Sequence, residues 1–171
     1  MIKQTYETVR KEHPLLPEFD KINKEFELET IEQEQFFLRQ IKRKIAEKLE
    51  IALALLEKII NPDTASLADI YECRVFTNGE KKQIMEHYRH LMEHYRALFE
   101  TDLIGDDATD AETIFKLYDT WMKTKPHIIP VLKKMRESWQ KQIEPEQILE
   151  YLGWTSSSLG RPPQVKEHKH S

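Results

Sequence analysis

Three histidines lie close together in a short duplicated stretch of the chain. Residues 85–96 read Met-Glu-His-Tyr-Arg-His-Leu-Met-Glu-His-Tyr-Arg, so the pentapeptide Met-Glu-His-Tyr-Arg recurs seven positions later. Seven residues are close to two helical turns, so both copies present the same face of a helix. His87, His90 and His94 then share one flank, where imidazoles can act as acids, bases or metal ligands near neutral pH.

The spacing within this trio matches one kind of metal site. His90 and His94 are four residues apart, a separation at which two imidazoles on one helix can chelate a transition metal. No second helix carries the Glu-x-x-His sequence that a di-iron bundle requires, and the duplication accounts for part of the cluster. We therefore expect no cofactor, and His90 and His94 are the candidate ligands if a metal is bound.

A second interpretation adds an arginine from the same stretch. The hexapeptide from Arg89 to His94 reads Arg-His-Leu-Met-Glu-His. It resembles the Arg-[Asn/Asp/His]-x-x-x-His motif of HEPN-family proteins, which are helical and often cleave RNA. The resemblance covers these six residues. It implies that His94 serves as acid or base at an RNA 2′-hydroxyl and that Arg89 holds the phosphate, in a cleft formed by a dimer.

Charge is unevenly distributed along the chain. The net charge of −4 predicts no attraction of the whole protein to nucleic acid or to anionic membrane. Residues 100–112 carry six acids and no base, whereas residues 116–141 carry seven Lys/Arg against two acids. A nucleic-acid-associated protein would use the basic region for phosphate contacts. The candidate residues are Lys123, Lys125, Lys133, Lys134, Arg136 and Lys141.

Several function classes lack their sequence signals. The chain has four glycines and no Gly-rich phosphate loop or dinucleotide fingerprint. Its single cysteine, Cys73, excludes an intramolecular disulfide and is expected to be a small buried residue. The first residues lack the apolar core of a secretory signal, and the most hydrophobic run, 51–56, is too short to span a bilayer. We expect a cytoplasmic protein without membrane contact.

The apolar pattern predicts an all-α fold. Apolar residues recur with a period near 3.6 from about 26 to 61, and this stretch contains neither Gly nor Pro. Thr77 and Glu80 have the spacing of a capping box and begin a second long helix over about 79–103. No stretch shows the alternation of a strand hairpin. The sequence thus predicts a bundle of about five to seven helices, built on these two long ones.

Shorter elements complete the predicted domain. Ile2, Tyr6 and Val9 have helical spacing within residues 2–12. Thr109 and Glu112 repeat the capping-box spacing and should open a helix that ends before Pro126, and a further helix should end near 143. A short helix from Pro145 through Leu152 would close a single helical domain over 1–153. Residues 154–171 are rich in Ser, Gly, Pro and charge, which predicts a flexible tail.

Two polar residues interrupt the apolar stripe of the first long helix. Gln35 and Lys42 are one heptad apart, and they predict either an exposed stretch or an edge where a partner chain packs. A chain of this length should also have difficulty covering so long a helix alone. The favoured hypothesis is a non-enzymatic helical interaction or assembly subunit that binds a protein partner or its own copies. The HEPN-like RNA-cleaving or RNA-binding protein and the nucleic-acid-associated subunit are the alternatives.

Overall fold

The computed structural model describes residues 1–32 and 35–141, and these residues form helices and no strand. The all-α class and the number of helices are as predicted. The α-helices are α1 (Ile2–Glu12), α2 (Phe19–Phe26), α3 (Phe37–Ile60), α4 (Leu67–Arg74), α5 (Asn78–Ile104) and α6 (Asp107–Ser138), with a 3-10 turn at Leu28–Thr30 between α2 and α3.

The long helices α3, α5 and α6 pack against one another and enclose the core. The apolar stripe of α3 faces inward along its whole length, from Leu38 to Ile59. Leu91 lies at the middle of the inward face of α5, and Ile114 and Trp121 face inward on α6. The shorter α1 and α2 cover one side, where Tyr6 packs its ring edge against Phe19 and Phe37. Burial of this apolar surface is the main force that holds the helices together.

The second predicted long helix is confirmed almost residue for residue. Thr77 is the N-cap of α5, and the capping box with Glu80 is complete, because each residue's side chain accepts the other's backbone N–H. The helix ends at Gly105, which adopts a left-handed conformation with φ of 75°. Glycine favours this position because it has no Cβ to clash with the backbone.

The prediction of one continuous helix over 26–61 is wrong. Helix α2 ends at Glu27, a left-handed residue, and α3 begins only after Phe36, which is also left-handed. The Asn23 side chain stabilises the break by accepting the backbone N–H of Glu29 and donating to its carboxylate. Leu28 is fully buried within the break. Burial of this connection therefore overrides a helical pattern that contains neither Gly nor Pro.

The predicted interruption at Lys125-Pro126 is also wrong. Helix α6 runs through Pro126 and Pro130 as one helix of 32 residues. The prolines are four residues apart on the exposed face, as is Met122. Each proline removes one N–H donor, and the carbonyls that lose it, at Met122 and Pro126, lie on the face that water reaches. The helix can therefore continue past both prolines.

The start of α6 differs from the predicted capping box at Thr109 and Glu112. Asp106 is the N-cap, and its carboxylate accepts the backbone N–H of Thr109 at 2.8 Å and its hydroxyl at 2.6 Å. Thr109 is thus the third helical residue and not the cap. An aspartate at this position satisfies a free N–H and interacts favourably with the helix dipole.

Lys42 is the clearest departure from the predicted pattern. It was expected on an exposed stretch or at an edge for a partner chain, but its side chain is 0% exposed. Gln35 is exposed in the turn before α3 and does not belong to the helix. The described residues bury the inward stripe of α3, so the length of that helix no longer argues for a partner.

Three predictions lie outside the described residues. These are the short helix from Pro145 through Leu152, the domain limit at 153, and the flexible tail over 154–171.

Candidate functional site

The predicted histidine trio does lie on one flank of α5, and the neighbouring helix adds a fourth imidazole. His87 stacks on His127 of α6, with ring centroids 4.4 Å apart and planes 21° apart. His90 and His94 meet edge to face, with centroids 4.7 Å apart and planes 69° apart. Sequence analysis missed His127, because no local pattern indicates which residue of a second helix will face the trio.

The stacked pair, His87 and His127, lines a cleft of about 260 Å³ between α5 and α6. Glu80 and Lys134 also line this cleft and form an ion pair at 2.6 Å. Partial burial and, next, the neighbouring His127 hold the pKa of the His87 imidazole below its ordinary value of 6.5. Burial is therefore the main cause of the lowered pKa of His87.

The carboxylate of Glu93 lies close to the other pair, His90 and His94. His90, Glu93 and His94 each offer a ligand atom, and these atoms all lie within 4.8 Å of one another. His90 and Glu93 are exposed and His94 is half-buried. His94 Nδ1 lies 3.0 Å from the backbone carbonyl oxygen of His90. Because a carbonyl oxygen only accepts hydrogen bonds, Nδ1 is the donor in this contact, and in the neutral imidazole Nε2 then keeps a free lone pair.

Arg89 and His94, the residues of the HEPN-like motif, are not brought together within one chain. Five residues of α-helix rotate the side-chain direction by about 140° and advance it by about 7.5 Å. Arg89 is exposed. Within the described part of the chain, no hydrogen bond or ion pair joins it to His94, which is instead bonded to its own helix. The RNA-cleaving hypothesis therefore remains a prediction that depends on a second chain.

Most of the predicted phosphate-binding residues lie in ion pairs with acids. Lys123, Lys125, Lys133 and Lys134 pair with Asp119, Glu25, Glu137 and Glu80, respectively. Lys125 is part of a specific structural contact, because Glu25 also accepts the Trp121 indole N–H at 2.8 Å. Burial would raise the pKa of Glu25, but the hydrogen bonds from Lys125 and Trp121 hold it below the ordinary value. Arg136 and Lys141 are exposed.

A buried ion-pair network lies where α3, α5 and α6 meet, near the α5–α6 turn. Lys42 Nζ is 2.6 Å from Asp110 Oδ1, and it also contacts Asp102 and the Thr101 hydroxyl. Asp110 is 1% exposed. Neither of its carboxylate oxygens accepts a hydrogen bond of regular geometry from a described residue, so the close ion pair with Lys42 balances its charge. The sequence signal was a lysine on an apolar stripe, which was interpreted as an exposed stretch or as an edge where a partner chain packs.

Above this network the bundle exposes large apolar side chains. Phe36 is 61% exposed, Leu103 89% and Ile104 59%. The Arg39 guanidinium joins them, because it lies 5.2 Å from the centre of the Phe36 ring and donates to the carbonyl of Gly105, which follows Ile104. We call Phe36, Leu103 and Ile104 the end surface.

A second apolar site, a groove of about 530 Å³ between α3 and α6, is lined in part by Ile51 and Leu132.

Comparisons of the chain with protein-family models, with curated proteins and with solved structures gave no match. None of the helices in residues 1–32 and 35–141 combines the length and apolar composition needed to cross a membrane.

Proposed function

We propose that the protein is a non-enzymatic interaction subunit whose end surface binds an apolar, basic segment of a partner protein. The observation that carries this proposal is the exposure of Phe36, Leu103 and Ile104 at the end of the bundle where Arg39 contacts both the Phe36 ring and the carbonyl of Gly105. Single exposed apolar residues are common on proteins, whereas several at one end of a bundle make a candidate interaction site. Burying the exposed fractions of these three side chains would contribute roughly 4 kcal/mol, at about 2 kcal/mol for each fully exposed side chain.

The backbone at Phe36 supports a role for its ring outside the fold. Phe36 has a φ of 54°, in the left-handed region that bulky residues avoid. Glycine would occupy this position without the Cβ clash, which costs roughly 1–2 kcal/mol. The ring gains a contact with Arg39 but remains mostly exposed. A strained residue with an exposed aromatic side chain is typical of binding sites.

Charge around the end surface favours a basic partner. Glu100 in the last turns of α5, and Asp106 and Asp107 at the start of α6, are all exposed, within the segment that carries six acids and no base. A two-fold contact between copies of this surface would place these acids opposite one another, which is unfavourable. The chemistry that fits is an amphipathic segment with apolar side chains and a rim of Lys or Arg. Self-association is the other form of the interaction hypothesis.

The experiment is selection of peptides from a random display library on the full chain. We expect enriched peptides that combine apolar side chains with Lys or Arg. Leu103→Asp should weaken their binding at least tenfold, because it removes an apolar contact and places a charged carboxylate against the apolar side chains of the peptide. Leu132→Asp, in the α3–α6 groove, is the matched control and should leave binding unchanged.

Phe36→Gly separates binding from stability. It should stabilise the free protein, by relieving the left-handed phenylalanine, while it weakens peptide binding. Peptides that bind all three variants equally, or that are lost only with Leu132→Asp, would refute the end surface as the site. Light scattering decides between the two forms of the hypothesis. A dimer that Leu103→Asp disrupts would replace the basic partner by a second copy.

A further inference from the structure

We infer that His90, Glu93 and His94 form a binding site for a divalent transition-metal ion of the Zn²⁺ class. The residues occupy positions i, i+3 and i+4 of α5, so one helix directs all three side chains to the same side. Two imidazoles and a carboxylate are the ligand types that suit Zn²⁺, whereas Mg²⁺ and Ca²⁺ prefer oxygen ligands alone. This site is independent of the end surface.

The distances fit an ion after small side-chain movements. A tetrahedral ion with bonds of about 2.1 Å holds its ligand atoms about 3.4 Å apart. One ligand atom of each of the three side chains lies within 4.8 Å of those of the other two. All three side chains are exposed or half-buried, so rotations of roughly 1 Å meet little resistance from packing. Three protein ligands leave the remaining tetrahedral position to water or to a ligand from another molecule.

His94 forms a hydrogen bond that selects the tautomer that a metal requires of a neutral imidazole. Its Nδ1–H donates to the His90 carbonyl oxygen at 3.0 Å, which turns the Nε2 lone pair outward. Histidines that bind metals nearly always donate their other ring N–H in this way, because the bond fixes both the tautomer and the ring orientation. Two observations thus agree: the cluster of ligand atoms and the fixed tautomer of one of its members.

The other histidine pair provides a contrast. The rings of His87 and His127 are nearly parallel, with 21° between their planes. The nitrogen lone pairs of an imidazole lie in the plane of its ring. In stacked rings these planes are nearly parallel, so the lone pairs of the two residues do not converge on one ion. The rings of His90 and His94 are inclined by 69°, which allows the lone pairs to converge. His87 and His127 are therefore matched controls of the same residue type.

Calorimetric titration with ZnCl₂ at pH 7.5 tests the site. The protein is the full chain carrying His168→Gln and His170→Gln, so that the two histidines near its C-terminus do not contribute. We expect one Zn²⁺ per chain. His90→Gln and His94→Gln should each lower the affinity at least tenfold, since even residues that only orient metal ligands change it by about 10–100-fold. Glu93→Gln should lower it as well, because an amide oxygen is a weaker ligand than a carboxylate.

His87→Gln and His127→Gln should leave the affinity within a factor of two. A second measurement follows the imidazole proton resonances, which Zn²⁺ should shift for His90 and His94 but not for the control pair. Circular dichroism checks that each variant is folded. The proposal is overturned if the unsubstituted site binds no Zn²⁺, if binding survives His90→Gln and His94→Gln, or if it is lost in either control. Unchanged affinity in Glu93→Gln would also refute the three-ligand site.

Discussion

Replacing Lys42 by methionine should strongly destabilise the fold, although the new side chain is apolar and similar in length. Lys42 is fully buried and its ammonium lies 2.6 Å from Asp110 Oδ1. Asp102, its other acidic neighbour, is 46% exposed and can turn to water. Asp110 cannot, because only 1% of its surface is accessible. Lys42→Met therefore leaves a buried carboxylate without its main counter-charge.

The size of the loss in stability depends on the partners that Asp110 keeps in Lys42→Met. Removing one member of a buried ion pair typically costs about 3–5 kcal/mol, because the other charge stays buried. Arg39 Nε is 3.9 Å from Asp110 Oδ2 and can compensate in part. We therefore expect a loss near the lower limit, about 3 kcal/mol. With a urea m-value of about 2 kcal/mol/M, the unfolding midpoint should fall by about 1.5 M.

The measurement is urea unfolding followed by circular dichroism. Lys44→Met is the matched control, because Lys44 lies on the same helix and pairs with Glu47 at the surface. This control should change the free energy of unfolding by less than about 0.5 kcal/mol. The double variant Lys42→Met/Asp110→Leu removes both buried charges. It should unfold within about 1 kcal/mol of the unsubstituted protein, because apolar groups of similar size can replace a buried ion pair.

Two results would contradict this reasoning. A loss below 1 kcal/mol in Lys42→Met would mean that water or Arg39 already neutralises Asp110. A double variant no more stable than Lys42→Met would mean that the loss arises from packing around residue 42 and not from the uncompensated charge. The coupling energy between the two substitutions distinguishes these cases, because the two side chains are in direct contact.

Three further predictions concern other parts of the molecule. The hydrogen bond from Lys134, followed by those from Thr77, lowers the pKa of Glu80 from 4.5 to about 2. Its stabilising contribution is therefore complete above pH 4.5 and is lost as the pH falls towards 2, so Glu80→Gln should flatten the pH dependence of unfolding in that interval. Leu91→Ala, at a fully buried position, should cost about 3 kcal/mol in urea unfolding, and Leu103→Ala, at an exposed one, less than about 0.5. Glu25→Ala should cost about 2 kcal/mol, since it leaves the buried Trp121 indole N–H without an acceptor, whereas removing the surface partner of Asp119 by Lys123→Ala should have little effect.

The sequence predicts those parts of the fold whose cause is local. Helix α5 has a capping box at Thr77 and Glu80 and a glycine at its end, and both limits were predicted within one residue. The trio of His87, His90 and His94 was placed on one flank because helical periodicity alone determines this arrangement. These features depend on residues that lie within about two helical turns of one another along the chain.

The missed features depend on residues distant in sequence. The break between α2 and α3 has no Gly or Pro to indicate it, and the burial of Leu28 stabilises it. Helix α6 continues past Pro126 because that residue happens to face water, which only the packing of the bundle determines. Lys42 pairs with Asp110, which lies 68 positions further along the chain. The burial of Lys42 could therefore not be inferred from the residues next to it in sequence.

Three energetically unfavourable features lie at one end of the bundle. They are the buried pair of Lys42 and Asp110, the left-handed Phe36, and the exposed Leu103 and Ile104. Arg39 connects them, because it contacts the Phe36 ring, the carbonyl of Gly105 and the carboxylate of Asp110. None of these features is needed for stability, because apolar residues could replace the pair and glycine could replace Phe36. Local departures from what stability favours concentrate at functional sites. The α3–α6 groove between Ile51 and Leu132 encloses about 530 Å³, but none of its described lining residues is a left-handed one. The coincidence of strain, buried charge and exposed apolar surface therefore favours the end surface over the groove as the proposed binding site.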